Sequence, residues 1–197
     1  MSGRPAVFLD RDGTLIHDVG YLSRVEDVQW FPWSIEAIRL LGRAGFLVCI
    51  TTNQGGIGLG FYGADIVERV HAGMCADVEA VGGRIDALFF CPHHPRAITD
   101  ELRIDCECRK PRAGMIQQAM ARFDIDLSRS FVVGDKMADV GLATNAGARG
   151  ILVKTGYGHA QLQRFGEHPP GAAYVADTVF EAVGWILGES GFPKEPA

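Results

Sequence analysis

Short apolar runs recur along this chain, and segments with helical periodicity separate them. Val7–Leu9, Phe46–Thr51, Ala87–Phe90, Phe131–Val133, Ile151–Val153 and a last run near Tyr174 and Val175 each have the length of a strand. Between them, apolar residues fall three and four apart, as in Ile35, Ile38 and Leu41, or Val67, Val70, Met74, Val78 and Val81. This alternation admits few folds. Consecutive apolar residues suit strands covered on both faces, and parallel strands need crossovers long enough to hold a helix. The pattern predicts one α/β domain over residues 1–188, a Rossmann-like, mostly parallel sheet with helices on both faces. Ser34 is expected to cap the first helix and Gly45 to end it; further helices are expected over Asp65–Val81, Met115–Phe123 and Val179–Leu187. The five-residue stripe from Val67 to Val81 reads as core, and His71 beside it as a surface or packing histidine. Residues 189–197 read as a loose tail.

Charge and composition remove several function classes. Lys and Arg number 19 against 24 Asp and Glu, so a net charge of −5 repels nucleic-acid backbones and anionic membranes. No apolar run approaches the ~18 residues of a membrane span. Only Ala6–Leu9 precedes the first acidic residue, too little for a signal-peptide core, so a cytoplasmic monomer is expected. Five cysteines without a secretory signal favour thiol or metal chemistry over a disulfide framework.

Polar groups gather where the strands end. Asp10-Arg11-Asp12-Gly13-Thr14 follows the first strand, Thr52-Asn53 the second, and Gly134-Asp135-Lys136-Met137-Ala138-Asp139 a later one. Arg109-Lys110-Pro111 is expected to begin the helix between them. Ligands of open α/β sheets bind at the carboxyl ends of strands, so these segments are expected to meet at one edge. The set suits phosphoryl transfer, in which Mg²⁺ on hard oxygen ligands and a fixed ammonium offset the charge of a phosphate monoester. Asp10 and Asp135 are the candidate Mg²⁺ ligands and Lys110 the ammonium. Asp10 is also the candidate nucleophile, Asp12 the general acid and base, and Thr52 and Asn53 the binders of phosphoryl oxygens.

The segment from Pro92 to Lys110 lacks periodicity, and a loop of this length needs a reason to be ordered. Cys91-x-His93, twelve residues, then Cys106-x-Cys108 is a complete tetrahedral Zn²⁺ set with no open position, with His94 as an adjacent alternative ligand. A zinc-stabilised loop over residues 91–108 is the expectation. Cys49 and Cys75 read as packing residues.

Asp10-x-Asp12-Gly13-Thr14, Thr52, Lys110 and Gly134-Asp135-x-x-x-Asp139 together resemble the four motifs of the haloacid dehalogenase superfamily, in the family's order. The resemblance implies Asp10 as nucleophile, Asp12 as general acid/base whose backbone carbonyl also ligates Mg²⁺, Asp135 as Mg²⁺ ligand, and Asp139 as the group holding the metal's water shell. Cys91-Pro92-His93-His94-Pro95 with Cys106-x-Cys108-Arg109-Lys110-Pro111 is similar to the zinc-containing branch of phosphatases. That branch acts on heptose bisphosphates and on histidinol phosphate, and the long His93–Cys106 spacing, Gly20-Tyr21 and Gly134-Asp135-Lys136 look more like the heptose group. Gly55 and Leu59 depart from the serine and arginine expected there. The implied substrate is a phosphorylated sugar or similar small metabolite, met by Asn53, Arg109 and Lys136, with its remote end expected to meet Arg109 and the loops around His17–Arg24 and Gln54–Phe61. Neither residues 16–32 nor the zinc loop is long enough for a separate large cap. A zinc-stabilised interaction module is the rival from another class, and it would leave Asp12 idle. Gly58-x-Gly60-x-x-Gly63 matches a dinucleotide fingerprint but stands several residues after its strand.

Overall fold

Six strands form one all-parallel sheet in the computed structural model, which describes residues 3–191. The strands β1 (Ala6–Leu9), β2 (Leu47–Asn53), β3 (Ala87–Cys91), β4 (Phe131–Gly134), β5 (Arg149–Val153) and β6 (Ala172–Ala176) stand in the order β3-β2-β1-β4-β5-β6. The helices are α1 (Ser34–Arg43), α2 (Gly55–Gly58), α3 (Ala64–Ala80), α4 (Gly114–Met120), α5 (Met137–Ala146), α6 (Gly158–Phe165) and α7 (Val179–Glu189). Every residue of β1 is buried. Its side chains alternate, so Val7 and Leu9 pack with α1, α3 and α7, while Ala6 and Phe8 pack with α4 and α5. Two covered faces are what a continuous apolar strand requires, and they place β1 inside the sheet. Fully burying a side chain such as Phe8 contributes about 1.5–3 kcal/mol.

The strand order positions the site. From β1 the chain builds outward through β2 to β3, then crosses back to lay β4 on the other side of β1, in register through Leu9 and Val133. A crevice opens beyond the carboxyl ends of strands at such a reversal. Asp10, Thr52, Asn53 and Asp135 all stand at that edge, as the strand ends led us to expect. No helix among the described residues is long and apolar enough to cross a membrane.

Several local expectations are corrected. Trp33, not Ser34, is the residue before α1; Ser34 is its first helical residue, and its buried hydroxyl has no hydrogen-bond partner among the described residues. Gly45 does follow the helix in the left-handed region, with φ +87°. Val81 lies past the end of α3 and is exposed, because the chain turns away at Gly82 rather than completing another helical turn. Arg109, Lys110 and Pro111 lie in turns, and α4 starts only at Gly114. Glu189 belongs to α7 and not to a tail, and the part of that expectation that falls on residues 192–197 lies outside the described residues.

Candidate active site

Asp10 continues the β1 ladder by donating its backbone N–H to Val133 at 2.8 Å, which fixes the carboxylate between the ends of β1 and β4. Lys110 reaches it from a distant part of the chain. Asn53, at the end of β2, clamps the Lys110 backbone reciprocally: its Oδ1 accepts from Lys110 N at 3.0 Å and its Nδ2 donates to Lys110 O at 3.3 Å. The buried ammonium then donates to Asp10 Oδ1 at 2.6 Å, Asp139 Oδ1 at 2.5 Å and Thr51 O at 3.0 Å, which uses all three of its protons. Burial opposes the charge on Lys110, but Asp10 and Asp139 outweigh it and hold the amine protonated, above its ordinary range.

Asp139 spends its other oxygen on the start of α5, where Oδ2 accepts from Lys136 N at 3.1 Å. Asp135 differs. It is fully buried, its Oδ2 accepts from Tyr157 N at 2.8 Å, and its Oδ1 has no hydrogen-bond partner among the described residues. The closest cation to that oxygen is the Lys136 ammonium at 3.5 Å, which also lies 3.5 Å from Asp18 and over the Tyr157 ring. Burial, with the charge of Asp10 added, pushes Asp135 up to about 7; burial and Asp10 likewise push Asp139 up to about 6. Asp10, Asp135 and Asp139 each present an oxygen within 4.8 Å of the others. Three crowded carboxylates, one with an orphaned oxygen, fit a hard divalent cation.

Two glycines make the close approach around Asp135 possible. Gly13 (φ +87°) and Gly156 (φ +52°) each pass so near that an added Cβ would lie 2.3 Å and 2.2 Å from Asp135 Oδ2. Thr155 Oγ1 donates to Gly13 O at 2.6 Å and ties the loop after β5 to the loop after β1.

The second cluster hangs from the end of β3. Cys91 Sγ lies 3.6 Å from Cys106 Sγ and 3.6 Å from His93 Nδ1, which is 3.2 Å from Cys108 Sγ. With Zn–S of about 2.3 Å and Zn–N of about 2.05 Å, the edges of a tetrahedron would be roughly 3.5–3.8 Å; the two 3.6 Å separations match such an edge, the His93–Cys108 separation is shorter, and all four ligand atoms lie within 4.8 Å of one another, the donor set of one zinc ion. His93 belongs to this group, whereas His94 Nδ1 accepts from the Arg96 backbone. Burial pushes the Cys91 and Cys108 thiols up, whereas at Cys106 burial is outweighed by the hydrogen bonds to Cys108 and Cys91, which pull the thiol down. The cluster is wired to the acidic site: Arg109 Nη1 donates to His93 O at 2.8 Å, and Lys110 follows directly.

Asp10, Asp12, Thr52, Asn53, Lys110 and Lys136 line one cleft of about 140 Å³. That volume takes a phosphoryl group and leaves the rest of a ligand on the rim. A larger cavity of about 610 Å³ between α6 and β6 gathers none of these groups. Asp18, Tyr21 and Gln54, from the two loops expected to border the substrate, also line the cleft, and so does Tyr62, which lies just beyond the second of them. Arg11, buried behind Asp12, was unassigned. His71 is a buried histidine facing Arg11, with Nε2 3.4 Å from Nη1; burial and the Arg11 charge push it down to about 3.

Residues 107–182 match the HAD-hydrolase-like family. The chain is 41% identical over 187 residues to the D-glycero-D-manno-heptose-1,7-bisphosphate 7-phosphatase of Thermosynechococcus vestitus, covering 93% of this chain and 95% of that one. It is 42% identical over 148 residues to the corresponding D-glycero-β-D-manno phosphatase of Rhodopseudomonas palustris, with 75% and 82% covered. Among solved structures, the D,D-heptose 1,7-bisphosphate phosphatase of B. bronchiseptica, complexed with magnesium and phosphate, superposes with a TM-score of 0.83 at 32% identity, over 94% of this chain and 99% of that one.

Proposed function

Because the chain belongs to the heptose 1,7-bisphosphate 7-phosphatase family of haloacid dehalogenase-like hydrolases, we propose that it removes the 7-phosphate of D-glycero-D-manno-heptose 1,7-bisphosphate through an aspartyl-phosphate on Asp10. The observation that carries this reading is the Lys110 ammonium bridging Asp10 and Asp139 beside the orphaned Asp135 Oδ1. A carboxylate held against a fixed cation can approach a phosphate dianion that would otherwise repel it.

In the first half-reaction an oxygen of Asp10 bonds to phosphorus and the ester P–O bond breaks. Asp12 gives its proton to the departing alkoxide. In the second, Asp12 takes a proton from water as that water attacks phosphorus, the P–O bond to Asp10 breaks, and inorganic phosphate leaves with Asp10 regenerated. Lys110 already engages Asp10 Oδ1, which leaves Oδ2 as the attacking oxygen. Thr52 donates to a phosphoryl oxygen; its hydroxyl is 3.4 Å from Asp12, a long contact that a phosphate displaces easily. Asn53 both aims Lys110 and borders the phosphoryl pocket. Lys136 and Arg109 face the remainder of the substrate.

Mg²⁺ would be held by Asp10, Asp135 and the Asp12 backbone carbonyl, and it would supply neutralisation of phosphoryl charge. Asp139 acts beside these ligands: its Oδ1 is held on the Lys110 ammonium and its Oδ2 on the Lys136 backbone N–H, and each oxygen keeps one lone pair with which to hold the metal's water shell. Cys91, His93, Cys106 and Cys108 would hold Zn²⁺ as a closed structural site, a set that stays reduced and competent in the cytoplasm. A single domain with no large cap leaves the cleft open to an extended, doubly phosphorylated sugar.

Phosphate release from a panel of phosphorylated metabolites tests the assignment. The heptose 1,7-bisphosphate is expected to have the highest kcat/KM, above histidinol phosphate, and Asp10→Asn to abolish turnover of every ester. A different preferred ester would overturn the substrate, and full activity in Asp10→Asn would overturn the reaction.

A further inference from the structure

The two oxygens of Asp12 are unequally loaded. Oδ2 accepts from Arg11 Nε at 3.1 Å and from Gln54 Nε2 at 2.9 Å, lies 2.9 Å from Arg11 Nη2, and is 3.4 Å from Thr52 Oγ1. Among the described residues, Oδ1 accepts only from Arg11 Nη2, at 3.0 Å. A carboxylate oxygen has two lone pairs, so Oδ2 is saturated while Oδ1 keeps one direction free.

Gln54 is itself held in one orientation. Its amide nitrogen serves two acceptors, Asp12 Oδ2 and Thr52 Oγ1 at 2.8 Å, while its Oε1 accepts from Tyr62 Oη at 2.9 Å. Turning the amide over would set its oxygen against the Asp12 carboxylate and leave the Tyr62 hydroxyl facing an NH₂ group. The backbone of Gln54 is anchored as well, by donation to Cys91 O at 2.8 Å. Room for Tyr62 is provided at Gly56, where an added Cβ would lie 2.5 Å from the Tyr62 ring. Burial pushes the Tyr62 phenol up to about 12, so it stays a donor throughout the neutral range.

We propose that Gln54, oriented by Tyr62, is a positioning residue that anchors Asp12 Oδ2 and so leaves Oδ1 as the oxygen that carries the proton to and from the substrate. The proposal rests on the reading of Asp12 as general acid and base. Arg11, with His71 behind it, forms the opposite wall of the same seat. A seat of this kind matters because proton transfer depends on an alignment that a displacement of about 1 Å destroys.

Leaving-group dependence separates positioning from general structural support. An alkyl phosphate such as a sugar phosphate needs a proton on its departing oxygen, and an aryl phosphate with an acidic phenol does not. We would measure kcat/KM for both esters in Asp12→Asn, Gln54→Met, Tyr62→Phe and the Gln54→Met/Tyr62→Phe double variant, with Tm recorded for each. Asp12→Asn is expected to lose about 10²–10⁴-fold on the alkyl ester and far less on the aryl ester. Gln54→Met, close in volume, is expected to lose about ten-fold on the alkyl ester and less than about two-fold on the aryl ester. Tyr62→Phe follows the same pattern with a smaller loss, and the double variant loses no more than Gln54→Met alone, because Tyr62 acts through Gln54. If Asp12→Asn discriminates between the esters while Gln54→Met and Tyr62→Phe lower both equally, or change neither, or if their effects add, the positioning role is overturned and the reading of Asp12 stands. If Asp12→Asn does not discriminate, both fall. Should Gln54→Met fail to fold, Tyr62→Phe alone decides by the same ratio.

Discussion

Magnesium ions are expected to stabilise the folded protein more at about pH 7.5 than at about pH 5, for a reason that lies in two buried carboxyls. Without a cation, burial and the charge of Asp10 raise Asp135 to about 7 and Asp139 to about 6, from an ordinary value of 3.8. Between 3.8 and 7 the folded state therefore keeps protons that the unfolded chain has released. The stability these groups contribute is complete below 3.8 and is lost as pH rises toward 7. At about pH 5, below the value of about 7 to which Asp135 is raised, a metal ion must first displace the Asp135 proton, at a cost on the order of 3 kcal/mol. At about pH 7.5 that cost has vanished. Asp139 adds a share, reduced because both groups are coupled through Asp10, so the expected difference in magnesium-linked stability is on the order of 3 kcal/mol. For a chain of this size that corresponds to roughly 6–12 °C in Tm. The assay is thermal unfolding with and without saturating Mg²⁺ at both pH values, on protein whose zinc content is verified. His71, buried and neutral, destabilises the acid side independently, but comparing the two metal conditions at each pH cancels its effect. An equal shift at both pH values, a larger one at the acid pH, or a full shift in Asp135→Asn would refute the reasoning.

Cys108→Ser is expected to release the zinc ion by metal analysis and lower kcat by about 10²-fold while far-UV circular dichroism shows the sheet intact, since Cys108 precedes Arg109 and Lys110 and anchors the backbone that aims the ammonium; wild-type kcat without zinc would show that this loop does not govern catalysis. Gly156→Ala is expected to lose most activity and several degrees of Tm, because its Cβ would lie 2.2 Å from Asp135 Oδ2 in a backbone conformation that side chains resist; normal magnesium affinity in this variant would contradict the crowding.

How much of this was legible in the sequence depended on the range of the interaction. β1, β2 and β4 are buried on both faces, so their apolar runs announce them, and the polar residues that follow each run announce the site. The helix α6 went unseen because Gly158-His159-Ala160-Gln161 offers no apolar stripe and only Gly158 is buried. Ser34 looked like a cap by residue type, but the turn closed by its own N–H to Phe31 O starts the helix one residue earlier. Within the site, Asp10, Thr52, Lys110 and Asp135 stand in local patterns that carry their chemistry. Arg11, Gln54 and Tyr62 do not: a buried arginine between two aspartates, a glutamine and a tyrosine acquire meaning only when Gln54 meets Asp12 across 42 positions and Arg11 meets His71 across 60. The Asn53 clamp on Lys110, 57 positions away, is likewise invisible until β2 and the zinc loop are brought together.

Trapping the phosphoenzyme tests the proposed chemistry most directly. Asp12→Asn retains the nucleophile but lacks the base that activates water, so mixing it with an aryl phosphate and Mg²⁺ and quenching in acid should leave one phosphoryl group on the peptide that contains Asp10, with a burst of phenol of matching size. A burst without phosphorylation of that peptide, or steady phosphate release from Asp10→Asn at the unmodified rate, would contradict nucleophilic attack by Asp10.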